Sequence, residues 1–327
     1  MNTPLTDINE PPLDCITRVQ FSPTQGESLL VASSWDGSLR MYDCNKNAMP
    51  IAYGTNKPIL DCCFMADSRR VVFGGLSTEV RIFGTADSSS ILLGKHTKAV
   101  RTVCYHKDHR IFTGGWDMLV KGWDPRSPQP TSTTSVGHKV FCMDCNDSKV
   151  LIGTSNKEIV IFDVRNMAQP WHVVEPLKYQ LRSVKCFPDQ TGFAASSVEG
   201  RVAWEYFANP SPKPKYAFKC HREPIEGVEH VYPVNALAFH SKYGTFATGG
   251  GDGTVSIWDG MAKKRLSRVS KQSVGVSALS FSADGTVLAL GLSYTFEEDE
   301  KEQMPPNAIR LRHLQDNEVR PKNLSSG

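Results

Sequence analysis

The chain has 327 residues, of which 40% are hydrophobic and 22% charged, and its net charge is only +3. That composition supports a large core and excludes a disordered or collagen-like chain, while the near-balanced charge argues against the basic stripe of a direct nucleic-acid binder. No apolar stretch approaches the roughly 20 residues needed to cross a bilayer, and the opening MNTPLTDINEPP carries acids and prolines where a signal peptide has a basic and then an apolar region, so an intracellular protein without membrane contact is expected.

Taken in chain order, the sequence repeats itself. After a spare segment at 4–8, an alternating run Ile16–Phe21 is followed by SSWDGSLRMYD, which ends at Asp43. The same pair of features recurs as Ile59–Phe64 with GGLSTEVRIFG ending at Gly84, Val100–Tyr105 with GGWDMLVKGWD ending at Asp124, and Val140–Cys145 with GTSNKEIVIFD ending at Asp163. Two more units follow: 182–187 with SSVEGRVAWEY ending at Tyr206, and Val234–Phe239 with GGGDGTVSIWD ending at Asp259. The endings are 41, 40, 39, 43 and 53 residues apart. Each block has two small residues, a turn residue (Asp36, Ser77, Asp117, Asn156, Glu199 or Asp252), and a β-rich run that ends seven residues later.

Period-2 alternation of β-branched and aromatic residues between Gly, Asp and Ser is the signature of strands. A seventh, weaker unit comprises Val276–Phe281, 287–293 and 308–314, with a hairpin turn at Asp284-Gly285. The acidic stretch 296–306 interrupts it and reads as a solvated loop, and 315–327 reads as a disordered tail.

The nine cysteines are odd in number, and Cys62, Cys63, Cys104 and Cys186 lie among apolar residues, so no disulfide framework is expected. Cys142 and Cys145 form a CxxC without a second ligand pair and read as part of a strand, which leaves no metal site. No HExxH, phosphate loop or GxSxG elbow is present. The sequence therefore points to a binding protein, with no catalytic residue and no cofactor.

Seven units of this period, with closing Trp-Asp pairs at Trp123-Asp124 and Trp258-Asp259, resemble the WD-repeat family of β-propellers. The resemblance implies an all-β fold: one seven-bladed propeller over 1–314, its last blade closed by the N-terminal strand at 4–8. It also implies a buried polar network in two units, His96, Thr113, Asp117 and Trp123 in the third and His230, Thr248, Asp252 and Trp258 in the sixth, with His138 as a further candidate of the same kind.

Trp35 and Trp116 stand at equivalent positions immediately before the turn Asp, where other units have Leu76, Ser155, Val198 and Gly251. No structural demand for Trp exists there, so both read as interface anchors on one rim. The fifth unit gathers cations: Arg182 at the start of its first strand, Arg201 at the start of the third and Lys219 near the end of the fourth. Together they suggest an anion site.

The segments LKYQ, EGRVA, YAFKCHR, YPVNA and FATGGGDG, with SSWDGSLRMYD, WDPR and DVRNM, are similar to the spindle-assembly-checkpoint WD-repeat adaptors of the budding-uninhibited-by-benzimidazole group, whose paralogues are nuclear-pore mRNA-export WD proteins. This resemblance implies binding of a short linear motif of checkpoint kinases and kinase-like proteins by Trp35, Trp116 and Arg182. It further implies that Arg201 and Lys219 read phosphothreonine in Met-Glu-Leu-Thr repeats of a kinetochore scaffold, in a protein that is nuclear, reaches kinetochores in mitosis and is monomeric alone. The alternative it leaves is an mRNA-export adaptor at nuclear pores.

Overall fold

A computed structural model of the chain describes residues 4–127, 129–208, 213–295 and 305–322. Among them are seven four-stranded antiparallel sheets, each of three consecutive strands plus an outer fourth. The innermost strands are Ile16–Phe21, Ile59–Phe64, Val100–Tyr105, Val140–Cys145, Leu181–Cys186, Val234–Phe239 and Val276–Phe281, and neighbouring ones contact each other around the ring. The chain is the expected seven-bladed propeller. Six blades take their outer strand from the sequence that follows, whereas blade 7 takes Leu5–Asp7, which pairs antiparallel with Ala308–His313.

The core is a ring of seven apolar clusters, each shared by two adjacent blades. Blades 1 and 2, for example, meet through Val31, Leu39 and Met41 against Phe64, Phe73 and Phe83. No blade buries its own faces, so ring closure stabilises the whole structure. At the seam, Ile8 packs with Ile16 and Val19 of blade 1 and with Ile309 and Leu311 of blade 7. Its N–H donates to the carbonyl of Ile309 at 2.8 Å, and Arg310 Nε meets Asp7 Oδ1 at 2.6 Å. Deleting residues 1–10 would remove these contacts and expose an unpaired edge. The expected outcome is a thermal midpoint several degrees lower by calorimetry, and a trimmed protein that melts like the full chain would contradict closure at this seam.

Three expectations need correction. Residues 315–322 are ordered: a one-turn helix, Asp316–Val319, buries Val319 against blades 6 and 7, and its carbonyls accept Ser267 Oγ at 3.1 Å and Thr245 Oγ1 at 2.8 Å. Residues 323–327, and 296–304 of the acidic stretch, lie outside the described residues. The sixth-blade histidine is also not His230, which is exposed on an inserted hairpin, Arg222–Ile225 paired with Val228–Val231. His221 takes its place. Lastly, His138 is exposed and joins no such network.

In blade 3, His96 Nδ1 lies 2.9 Å from Asp117 Oδ1, His96 Nε2 is 2.8 Å from Thr113 Oγ1, and Trp123 Nε1 donates to that hydroxyl at 2.8 Å. Blade 6 repeats the chain through His221, Asp252, Thr248 and Trp258 at 2.9, 2.8 and 3.0 Å. The small residues that precede each turn have a steric cause, because a Cβ on Gly115 would collide with Asp117 and His96, and one on Gly250 with His221 and Asp252. Trp123 is fully buried, whereas Trp258 is half-buried beneath Arg265. Blades without this network rely on apolar packing; in blade 5, Trp204 stacks on Phe187 with ring centroids 3.9 Å apart. Cys142 and Cys145 are in a strand, all nine cysteines are free thiols, and no group of three or more His, Cys, Asp or Glu among the described residues is arranged to hold a metal ion.

Burial holds the His96 imidazole below its ordinary 6.5, against the raising effect of Asp117. Burial works to raise the Asp117 carboxyl, yet bonds from His96 and the Thr97 N–H hold it below its ordinary 3.8. Both shifts mean that the unfolded chain binds more protons than the native one as pH falls, first through the histidine range and then through the carboxylate range. Stability is therefore full above about pH 6.5 and is lost on acidification. Asp117→Ala strands His96 and should cost about 1–3 kcal/mol at neutral pH. It should also steepen the loss of stability on acidification through the histidine range, because burial then depresses His96 with no carboxylate to oppose it, which denaturant titrations at pH 7 and pH 5 would measure.

Candidate functional site

One irregularity recurs in all seven inner strands. The ladder to the second strand slips after its first pair, leaving one unopposed residue: Thr17, Leu60, Arg101, Phe141, Arg182, Asn235 or Ser277. Such β-bulges re-aim side chains, and here six of the seven unopposed residues line one pocket of about 570 Å³ at the mouth of the central channel. Trp35 and Trp116 line the same pocket. Equivalent backbone bonds fix both, from Trp35 N–H to the Cys15 carbonyl at 3.0 Å and from Trp116 N–H to the Ala99 carbonyl at 2.9 Å. The structure thus brings together Trp35, Trp116 and Arg182, which are far apart in sequence.

Trp35 is 42% exposed, an unusual state for a large aromatic side chain. Trp116 is less exposed, and its indole N–H is shielded from water without an acceptor among the described residues. A shielded donor without a partner is costly unless something else accepts it. Below Trp35, the Asp36 carboxylate accepts the Leu13 N–H at 2.8 Å and the Ser38 N–H at 2.8 Å, which hold the turn that presents the ring. Arg182 is directed by Asn235, whose Oδ1 accepts from Nε at 3.0 Å and Nη2 at 2.7 Å.

The three cations of blade 5 do not form one cluster. Arg182 belongs to the innermost strand and the funnel, whereas Arg201 and Lys219 face one another as register partners on the third strand, Arg201–Tyr206, and the fourth, Tyr216–Lys219. Arg201 lines a separate pocket of about 510 Å³ with Lys178, Tyr179 and Glu199. Its Nε is 3.7 Å from Glu199 Oε2, and Lys219 is exposed. Different strands of a twisted sheet separate residues that stand close together in sequence, so Arg182 and Arg201 line two separate pockets.

Sequence reasoning missed Arg101 and Asn235 in the funnel, and Lys178 and Tyr179 beside Arg201. The signal for the first pair was a slip in the apolar alternation, as at Ile16-Thr17-Arg18-Val19, repeated in every unit. The second pair lies in the LKYQ segment that carries the family resemblance, but nothing in the sequence places it beside Arg201.

Comparisons with known proteins agree with this architecture. The family described as WD domain, G-beta repeat matches residues 4–43, 88–124 and 213–259. The solved structure of U3-55K superposes with a TM-score of 0.83 over 95% of this chain and 98% of that one at 15% identity, which speaks for the fold alone. Among curated relatives, the mitotic checkpoint protein BUB3.1 of Arabidopsis thaliana is 45% identical over 97% of this chain and 94% of its own, and bub-3 of Caenorhabditis elegans is 41% identical over 95% and 94%. The chain belongs to the BUB3 family. The mRNA export factor GLE2 of Chaetomium thermophilum, which represents the paralogous branch, is 30% identical over 97% of this chain and 92% of its own. BUB3-family propellers are non-enzymatic scaffolds.

Proposed function

We propose that this chain is a mitotic checkpoint adaptor that holds a short linear motif of checkpoint kinases in the funnel and docks, through Arg201 and Lys219, on phosphothreonine in Met-Glu-Leu-Thr repeats of a kinetochore scaffold. It is expected in the nucleus, and at kinetochores in mitosis. The observation that carries the reading is the convergence of Trp35, Trp116 and Arg182 on one pocket, with the Trp116 N–H lacking an acceptor among the described residues. Two amphipathic rings beside a guanidinium suit a peptide with an apolar anchor and an acidic residue.

The second pocket suits a different ligand. Arg201 and Lys219 are adjacent cations on rigid strands, and a phosphate offers them about −1.5 to −2 charges and three acceptor oxygens. Because the two sites lie on separate strands, both peptides can be held at once, which is what an adaptor requires. Calorimetry with a kinase-motif peptide, and separately with paired phosphorylated and plain Met-Glu-Leu-Thr peptides, tests the proposal. Binding of export-factor peptides in preference to these would overturn it in favour of the mRNA-export role.

A further inference from the structure

The outer strand of blade 6, Lys264–Val269, reads KRLSRV. With the residue before it, it exposes four cations, Lys263, Lys264, Arg265 and Arg268, and no carboxylate among the described residues lies within ion-pair distance of any of them. The only acid among their ladder partners is Asp259, which is buried and accepts the Ala262 N–H at 2.9 Å. Other blades differ. The outer strands Ala48–Gly54, Pro130–Ser135 and His172–Val174 carry no Lys or Arg, Leu5–Asp7 ends in an acid, and Lys95 of Ser90–Lys95 is held by Glu79 at 3.0 Å. Charged side chains guard sheet edges against stray pairing, but that need applies to every blade alike.

Two of the four cations are held in place by aromatic rings. Lys263 Nζ lies 4.5 Å from the ring centre of Tyr216 in blade 5, and Arg265 Cζ lies 6.0 Å from that of Trp258. Side chains ordered in this way lose little freedom on binding. Arg265 and Arg268 share the face toward blade 5, because their ladder partners Trp258 and Ser256 alternate onto one face of Val255–Asp259 and Trp258 packs with Phe218 of blade 5. The C-terminal helix takes the other face, through Ser267 and Val319. We infer that this strand is a docking surface for an acidic, extended segment of a partner protein, a run of Asp and Glu. From Lys264 to Arg268 the strand rises about 13 Å, so its charges are strung along a line. A single phosphate needs converging cations, such as Arg201 and Lys219 across their ladder, whereas the carboxylates of an extended chain repeat at strand spacing. Single-stranded nucleic acid needs open ring faces for its bases, and these rings are capped. The inference does not depend on the reading of the other two pockets.

The probe is a fluorescein-labelled peptide of six glutamates, titrated into the full chain by anisotropy at low ionic strength, where exposed charges are least screened. Six glutamines and six uridylates, labelled alike, are the comparisons. The acidic peptide should saturate the wild type, bind more tightly than hexauridylate, and leave hexaglutamine unbound. Lys264→Gln with Arg268→Gln, neither of which touches an aromatic ring, should weaken it about fivefold, and adding Lys263→Gln and Arg265→Gln should bring the loss to about tenfold or more. The double variant should melt like the wild type, so it decides the matter even if the fourfold variant does not fold. Arg201→Ala should leave the affinity unchanged. Absence of binding to the wild type, equal affinity for the wild type and the double variant, or a loss in Arg201→Ala as large as in the double variant would overturn the inference. Tighter binding of hexauridylate would overturn it in favour of nucleic acid.

Discussion

Replacing either Trp35 or Trp116 with Ala is expected to weaken binding of the kinase-motif peptide by about 2 kcal/mol or more, roughly 30-fold, while leaving the propeller folded. Both halves of that outcome follow from geometry. Trp35 is 42% exposed and belongs to none of the seven inter-blade clusters, and neither does Trp116, so truncation opens no void in the core. Each ring instead presents a broad apolar surface on a rigid turn, where little conformational entropy is lost on binding. Trp116 should show the larger loss, because its indole N–H would gain an acceptor in the complex. Titration calorimetry measures the affinity and a melting curve the fold. An unfolded variant would mean that these rings pack the blades, and unchanged binding would place the motif elsewhere.

The second large effect concerns phosphate. Arg201→Ala should weaken the phosphorylated Met-Glu-Leu-Thr peptide about tenfold or more and hardly alter the plain one, because a hydrogen bond to a charged group contributes roughly 1.5–3 kcal/mol and tenfold corresponds to about 1.4. Arg201 Nε lies near Glu199, whose carboxylate is 3.7 Å away. That contact is too long for a good hydrogen bond, so a phosphate can take its place. Lys219→Glu should be more damaging than Arg201→Ala, since it adds repulsion to the loss of a cation. Lys219 itself carries a point charge without the guanidinium fork, so Lys219→Ala should cost less than Arg201→Ala. Equal losses for the phosphorylated and plain peptides in Arg201→Ala would show that Arg201 supports the sheet and does not read the phosphate.

The blades were legible because their information is local. Strand alternation, Asp or Gly at turns and a spacing near 40 residues all lie within one unit, and the spare segment at 4–8 had one open edge to fill. Features that depend on register or insertion were not legible. The separation from histidine to aspartate is 21 residues for His96 and Asp117 but 31 for His221 and Asp252, and the ten-residue difference is the hairpin from Arg222 to Val231. The unit spacing of 53 holds that clue, yet His230 stands closer than His221 to the next strand and so competes for the role in the sequence.

The helix Asp316–Val319 has only four residues and little helical signal of its own. It forms because Arg312 Nη2 meets Glu318 Oε1 at 2.6 Å and Val319 fills a gap between blades 6 and 7. The funnel was half legible. Equivalent rim positions singled out the two Trp residues, but the bulge that carries Arg182 and its neighbours into the same pocket shows in one strand only as a slip in the apolar alternation, and where it aims the side chains is a property of the paired strands.

The central claim is that the chain joins a motif peptide to a phosphorylated one through two separate pockets. Titration of the phosphorylated Met-Glu-Leu-Thr peptide, and then of its plain counterpart, into the chain already saturated with the kinase-motif peptide tests it most directly. The account predicts that the phosphorylated peptide binds with one-to-one stoichiometry, at least about tenfold more tightly than the plain one, without displacing the motif peptide. Equal affinity for the two peptides, or release of the motif peptide as the phosphopeptide binds, would contradict it.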